Sequence, residues 1–66
     1  MNKIVGYRNM LRLTQDEMAK KLNISKHSYW KKENGKVAFN DNEKIAIKKM
    51  LLPLFPSITI DDIFFS

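Results

Sequence analysis

The chain lacks most of the residues that cross-link a small domain, bind a metal in it or catalyse a reaction. It has no cysteine among its 66 residues, so it can form neither a disulfide nor a thiolate metal site. It has one histidine, which excludes a metal site built from several histidines of one chain. No serine–histidine–acid set and no glycine-rich phosphate loop is visible. We therefore expect a protein that is not an enzyme and that has no metal, cofactor or small-molecule ligand.

The chain also lacks long hydrophobic runs and has few turn residues. No apolar stretch approaches the ~20 residues of a membrane-spanning helix, and the N-terminal segment MNKIVGYRNM has no apolar core of a signal peptide. Glycine and proline occur twice each, so helices should dominate. We expect one soluble, cytoplasmic domain over residues 1–66, with no membrane association.

The charges that are present are mostly positive and lie in the middle of the chain. Twelve Lys and Arg outnumber seven Asp and Glu, which gives a formal net charge of +5 and a pI near 9.7. Six of the twelve cations fall between residues 20 and 36, whereas four of the seven carboxylates come after residue 40. This distribution indicates nucleic acid or an acidic surface as the partner class, against the alternative of an ordinary solvated lysine face.

Apolar residues recur at helical spacing, and no alternating pattern indicates a sheet. A fourth helix should begin at a cap formed by Asn40 or Asp41 and end at Pro53, and a short last helix should follow Thr59. The first three predicted helices cover about residues 3–12, 15–22 and 26–33.

Caps and turns can be assigned around the second and third helices. Thr14 and Glu17 have the spacing of a capping box, and Ser25 is a good N-cap for the third helix. Asn23 suits a left-handed turn between the two helices. The Asn-Gly pair after the third helix could mark a hairpin, but its flanks are charged and do not alternate. A helix C-cap with Gly35 in the left-handed conformation is therefore preferred.

Two short helices joined by three or four residues have the spacing of a helix-turn-helix. The stretch TQDEMAKKLNISKHSYWKKENGK, residues 14–36, resembles the helix-turn-helix of phage Cro and repressor proteins of the xenobiotic-response-element type. The ending ITIDDIFF is similar to the last helix of small phage and plasmid members. The matching positions are Gln15, Glu17, Ala19, Leu22, Ile24, Ser25, Glu33, Asn34 and Gly35.

The resemblance implies an all-α fold and a function. The fold would be a compact four- to five-helix bundle of the lambda-repressor-like type, one domain over residues 1–66 with the helix-turn-helix at 15–33. The ligand would be double-stranded DNA, bound by a homodimer on a palindromic operator in a bacterial cell or phage-infected host. The chain would then be a sequence-specific transcriptional regulator, a Cro-like repressor.

The resemblance also implies which side chains meet DNA. Lys26, His27 and Lys31 fall where relatives read bases; lysine can donate to guanine O6 and N7, and histidine can donate or accept. The expected phosphate contacts are Gln15, Ser28, Asn34 and Lys36.

The inner face of the third helix should be structural. Tyr29 is expected in the core, with its hydroxyl bound to water or to the backbone. Glu33 needs a cation there, and Arg8 falls where family members keep an arginine that pairs with this glutamate. Lys32 stands where an aliphatic residue is usual: either its stem packs and its ammonium reaches water, or the helix is rotated locally. Trp30 replaces a small polar residue and is expected to be partly buried against a neighbouring helix.

The last nine residues are rich in apolar side chains, and Ile63, Phe64 and Phe65 are the expected contacts of a two-fold dimer. Such a dimer would present two recognition helices about 34 Å apart, one turn of DNA. The alternative function is a protein-interaction module, such as an antitoxin or modulator that binds a partner protein through its C-terminal helices.

Overall fold

The chain folds as five α-helices in sequence, in a computed structural model that describes residues 3–65. Between those residues there is no strand, so the all-α prediction is confirmed. None of the helices in this range is long and apolar enough to cross a membrane. The helices are α1 (Ile4–Met10), α2 (Gln15–Lys21), α3 (Lys26–Glu33), α4 (Asp41–Leu51) and α5 (Ile60–Phe64).

Four of the five helices begin at a side-chain cap that the sequence predicts. In three of them the cap accepts the N–H of the third helical residue, whose carboxylate accepts the N–H of the cap in return. Asn40, not Asp41, is the cap of α4. The reciprocal pairs are Thr14–Glu17, Asn40–Glu43 and Thr59–Asp62, and Ser25 caps α3 by accepting the N–H of Ser28.

The first three helices all end in the same left-handed turn. Asn23 has φ 59° and Gly35 has φ 77°, as predicted, and Arg12 has φ 59°, which the sequence did not indicate because arginine rarely adopts this conformation. In each turn the next residue donates its N–H to the carbonyl five residues earlier, as in a Schellman motif. These bonds are Leu13 to Arg8, Ile24 to Ala19 and Lys36 to Lys31.

Every helix contributes to one core. Tyr29 of α3 is fully buried, and its ring centroid lies 6.1 Å from that of Phe39, which in turn lies 5.4 Å from that of Phe64. The radius of gyration of 10.8 Å matches the ~11 Å expected for a folded chain of this length. The buried apolar residues are Ile4, Met18, Ala19, Tyr29, Phe39, Ile47, Leu51, Ile58 and Ile63.

Candidate nucleic-acid interface

The outer face of α3 is positive and open to solvent. Lys26, His27, Trp30 and Lys31 are all exposed there. The only carboxylate of α3 belongs to Glu33, whose side chain is 4% exposed and points to the inside. Within residues 3–65 no ion pair involves Lys26 or Lys31. The candidate base-reading residues therefore share a surface on which no neighbouring carboxylate of the same helix cancels their charge.

The inner face of α3 is held by a polar cluster around Glu33. Arg8 of α1 donates to its carboxylate through Nε at 2.8 Å and through Nη2 at 3.4 Å. The Tyr29 hydroxyl donates at 2.6 Å and the Gln15 amide at 2.8 Å. A further N–H of Arg8 donates to the carbonyl of Leu13 at 2.9 Å. One carboxylate thus joins α1, α2 and α3.

Two of the predictions concern residues of this cluster. The ion pair between Arg8 and Glu33 is present, and Tyr29 is buried as predicted. The hydroxyl partner predicted for Tyr29 was wrong: it is neither water nor backbone but the Glu33 carboxylate one helical turn away. A carboxylate is a stronger acceptor than either, since charge-assisted hydrogen bonds are roughly twice as strong as neutral ones.

The cluster changes the ionisation of its members. Burial alone would raise the pKa of Glu33, but the hydrogen bonds from Arg8, Tyr29 and Gln15 hold that pKa below its ordinary value. Burial and the hydrogen bond to Glu33 raise the pKa of Tyr29, and the bond to the same carboxylate raises the pKa of Arg8. At neutral pH the cluster is therefore an ion pair with a neutral tyrosine.

The lowered pKa of Glu33 predicts acid sensitivity. The unfolded chain, where this carboxyl has an ordinary pKa, binds a proton at higher pH than the folded chain does. The stabilisation is therefore complete above the ordinary carboxyl range and is lost as the pH falls through the lowered pKa of Glu33. Urea unfolding at about pH 6 and about pH 3 should show a larger loss of free energy in the wild type than in Glu33→Gln. Equal losses in the two proteins would contradict this assignment.

A second buried ion pair holds α3 from the other side. Lys32 donates its ammonium to both oxygens of Glu43 at 2.6 Å, and the two side chains are 14% and 7% exposed. Glu43 also accepts the N–H of Asn40 at 2.9 Å, so the carboxylate that caps α4 also anchors α3. Of the two alternatives for Lys32, the stem does pack, but the ammonium meets a buried carboxylate and not water. Sequence reasoning missed Glu43 in this role.

Trp30 lies over its own helix and the loop that follows. Its ring is parallel to the imidazole of His27, with 6.0 Å between centroids and 8° between planes. The ammonium of Lys36 lies over the indole at 5.9 Å from the centroid. Trp30 is 40% exposed, and its ring contacts are with the candidate DNA-binding residues His27 and Lys36, not with a neighbouring helix as expected.

The predicted phosphate contacts differ in how free their side chains are. Gln15 is half-buried and donates to Glu33. The Ser28 hydroxyl accepts from Ser25 at 3.0 Å, and the Asn34 amide donates to the carbonyl of Trp30 at 2.8 Å. Lys36 is exposed. The four residues lie in or beside α2 and α3, and Lys36 is the one whose side chain carries a positive charge and makes no hydrogen bond within residues 3–65.

The three expected dimer contacts differ in how far their side chains are buried. Ile63 is fully buried in the core, so the prediction of a partner contact there was wrong: a side chain with no exposed surface has nothing to offer another chain. Phe64 is half-buried against Phe39. Phe65 is 67% exposed, with the ammonium of Lys44 at 4.8 Å from its ring centroid.

A second apolar surface was missed in the sequence. Leu54 is 51% exposed and Phe55 is 37% exposed, in the segment that connects α4 to α5. With Tyr7 they line an open groove of about 450 Å³. The signal was the pair of apolar residues between Pro53 and Pro56, since prolines keep a short segment out of a helix and on the surface.

Comparisons with protein-family models, curated proteins and solved structures find no match to this chain. Its function is therefore argued from the residues and contacts described above.

Proposed function

We propose that this protein is a sequence-specific double-stranded DNA-binding transcriptional regulator of the Cro type, in which α2 and α3 form a helix-turn-helix. It would act in the bacterial cytoplasm as a homodimer on a palindromic operator. The observation that carries the proposal is the outer face of α3, where Lys26, His27 and Lys31 are exposed on a helix whose only carboxylate is turned inward. The residue pattern of positions 14–36 supports it independently.

The dimensions of α3 suit the major groove. The groove is about 12 Å wide and admits one α-helix. At ~1.5 Å per residue, Lys26 and Lys31 are ~7.5 Å apart along the helix axis, which corresponds to about two base-pair steps. Exposed lysine side chains this far apart along one helix can donate to guanine O6 and N7 on base pairs about two steps apart. The exposed ammonium of Lys36, just beyond the end of α3, would then contact a phosphate.

The two buried ion pairs support the same function. Glu33 ties the inner face of α3 to α1, and Lys32 ties the helix to α4. Sites that read a ligand by hydrogen bonds need groups held in place before binding. A surface helix fixed at its inner face by two such pairs meets this requirement.

Repression would follow from occupancy of the operator. A two-fold dimer would place two copies of α3 about 34 Å apart, so that each enters the same face of the duplex one turn further on. A dimer bound in this way would block polymerase by occupying the DNA, and this mechanism needs no effector domain. A protein that stays monomeric at high micromolar concentration and does not pair on its operator would contradict the dimeric form.

Selection from a random duplex library tests the proposal. It should be run at about 0.1–0.15 M salt, where non-specific phosphate binding is already weakened. An enriched palindrome with half-sites about one turn apart is the expected result. Recovered DNA with no shared sequence would contradict it, because a basic surface alone binds without sequence preference.

Substitution of the two lysines should remove specific binding. Lys26→Ala and Lys31→Ala are each expected to weaken binding to the selected duplex by about 1–3 kcal/mol, the value of a good base contact. The measurement is the dissociation constant by fluorescence anisotropy, with thermal unfolding as a check on folding. Lys49→Ala, an exposed lysine of α4, is the matched control: it removes the same charge and should lower affinity only slightly. Equal effects at all three positions would exclude base readout by α3.

The second candidate is the protein-interaction module, which the exposed apolar side chains favour. Phe65, Leu54 and Phe55 lie outside the core, and exposed apolar patches mark partner surfaces. An assay of regulation in cells can distinguish the two functions. If Lys26→Ala/Lys31→Ala still regulates and Phe65→Ser does not, the module is the better account. If Lys26→Ala/Lys31→Ala does not regulate, the DNA-binding regulator is supported whatever Phe65→Ser does, because Phe65 is also an expected contact of the dimer.

A further inference from the structure

The contact between His27 and Trp30 is the feature of the α3 face that the DNA-binding proposal leaves unexplained. The two rings are one helical turn apart on α3 and lie parallel, 6.0 Å between centroids. This is within the 4.5–7 Å range of attractive ring pairs. Trp30 is 40% exposed, so burial in the core is not what places it there.

Lysine side chains lie on both sides of the pair. Lys26 and Lys31 flank His27 on α3, and the ammonium of Lys36 approaches the indole from the following loop. No hydrogen bond or ion pair within residues 3–65 involves the imidazole. Among the described residues, the parallel contact with Trp30 is the interaction that the structure gives the imidazole.

We propose that Trp30 is a positioning residue for base readout, which holds the imidazole of His27 in one orientation before DNA is bound. This inference rests on the proposed function and deepens it. The hydrogen-bonding atoms of an imidazole lie in the plane of its ring. An imidazole parallel to the indole therefore directs its N–H and its ring nitrogen past the rim of Trp30, toward a base edge and not into the tryptophan.

The chemistry of the target follows from the imidazole. A neutral imidazole has one donor and one acceptor, and the groups that a single ring nitrogen can meet in the major groove are the acceptors of guanine, adenine and thymine and the amino groups of adenine and cytosine. Free rotation of an exposed side chain weakens such a contact, since ordering it on binding lowers affinity by about two- to tenfold. Trp30 would remove this loss at one base pair in each half-site.

The stack can be tested first without DNA. The chain has one tryptophan and one histidine, so the proton NMR signals of the two rings can be assigned without overlap. Rings that lie parallel at this distance should show nuclear Overhauser contacts, and the ring current of the indole should shift the imidazole protons away from the positions they have in Trp30→Leu. Absence of both effects in the wild type would overturn the inference.

The second test uses the operator obtained by selection. Trp30→Leu should weaken operator binding about three- to tenfold and flatten the preference at one base pair per half-site. Trp30→Phe keeps an aromatic face and should recover most of the loss. In the His27→Ala background Trp30→Leu should have no further effect, because the residue it positions is gone. Thermal unfolding should be unchanged in all variants, since both side chains are exposed, and any loss of affinity for a random duplex should be smaller than the loss for the operator.

Other results would separate the alternatives. If Trp30→Leu weakens operator binding equally in the His27→Ala background, Trp30 contacts DNA itself and the positioning role is excluded. If operator and random duplex lose affinity together, the residue is structural. If selection yields no operator although the ring contact between His27 and Trp30 is seen by NMR, the DNA-binding function has failed and the readout role fails with it. If an operator is found but the ring contact is absent, only the positioning role is lost.

Discussion

Replacing Glu33 with alanine is expected to lower the free energy of unfolding by about 3–5 kcal/mol, the usual result of removing one partner of a buried ion pair. The variant leaves the guanidinium of Arg8, 13% exposed, without its carboxylate. It also removes the acceptor of the Tyr29 hydroxyl and of the Gln15 amide. An unsatisfied buried donor is costly, so three losses come together. A small domain has roughly 0.05–0.15 kcal/mol of stability per residue, so most of the margin would be gone.

Urea unfolding followed by circular dichroism at neutral pH measures this effect. Asp16→Asn is the matched control, because Asp16 also pairs with a cation but at the surface, 52% exposed and 3.4 Å from Lys20. An exposed pair of this kind contributes about 0.3–0.5 kcal/mol. If Glu33→Ala and Asp16→Asn were equally mild, the cluster would not hold α1, α2 and α3 together.

Replacing Lys32 with methionine is expected to destabilise the fold by about 3 kcal/mol. Methionine fills the space of the lysine stem but leaves the Glu43 carboxylate, 7% exposed, without its cation. The N–H of Asn40 remains as a partner, which keeps the loss at the lower end of the range for a broken buried pair. The same variant should weaken operator binding beyond its effect on folding, since α3 loses its attachment to α4.

A double substitution distinguishes the effect of the unpaired charge from the effect of altered packing. In Lys32→Met/Glu43→Gln the buried charge is removed, and glutamine can still accept the N–H of Asn40 in the capping box. The double variant should recover about 2 kcal/mol of the loss seen in Lys32→Met, because replacing both members of a buried pair is far milder than removing one. Additive losses in the double variant would contradict a direct interaction between the two side chains.

The local structure was largely predictable from the amino-acid order. The capping box of Thr14 and Glu17, the cap at Ser25 and the left-handed turns at Asn23 and Gly35 were all predicted and are all present. Their hydrogen bonds join residues no more than five positions apart, so the residue types on either side are sufficient to specify them. The end of α3 after Glu33 follows from the same rule.

The polar contacts between helices were predictable only in part. The pair of Arg8 and Glu33, 25 positions apart, was expected from a family resemblance and not from spacing. Gln15 and Glu33 are 18 positions apart, and no pattern in the sequence indicates that they meet. Lys32 looked out of place in the sequence because its partner, Glu43, lies 11 positions away on another helix.

The apolar surfaces were also predictable only in part from the sequence. The apolar composition of the last nine residues identified Ile63, Phe64 and Phe65 as a group, but a helix of five residues is too short for its inner and outer faces to be told apart. Packing then placed Ile63 in the core and left Phe65 exposed. The residue order thus specifies the side-chain caps of four helices and the turns that end α2 and α3, since caps and turns are local, whereas the turn at Arg12 that ends α1 was not indicated. Which side chains meet, and which remain on the surface, depends on how the helices cross, because that arrangement is selected by the burial of the whole core at once.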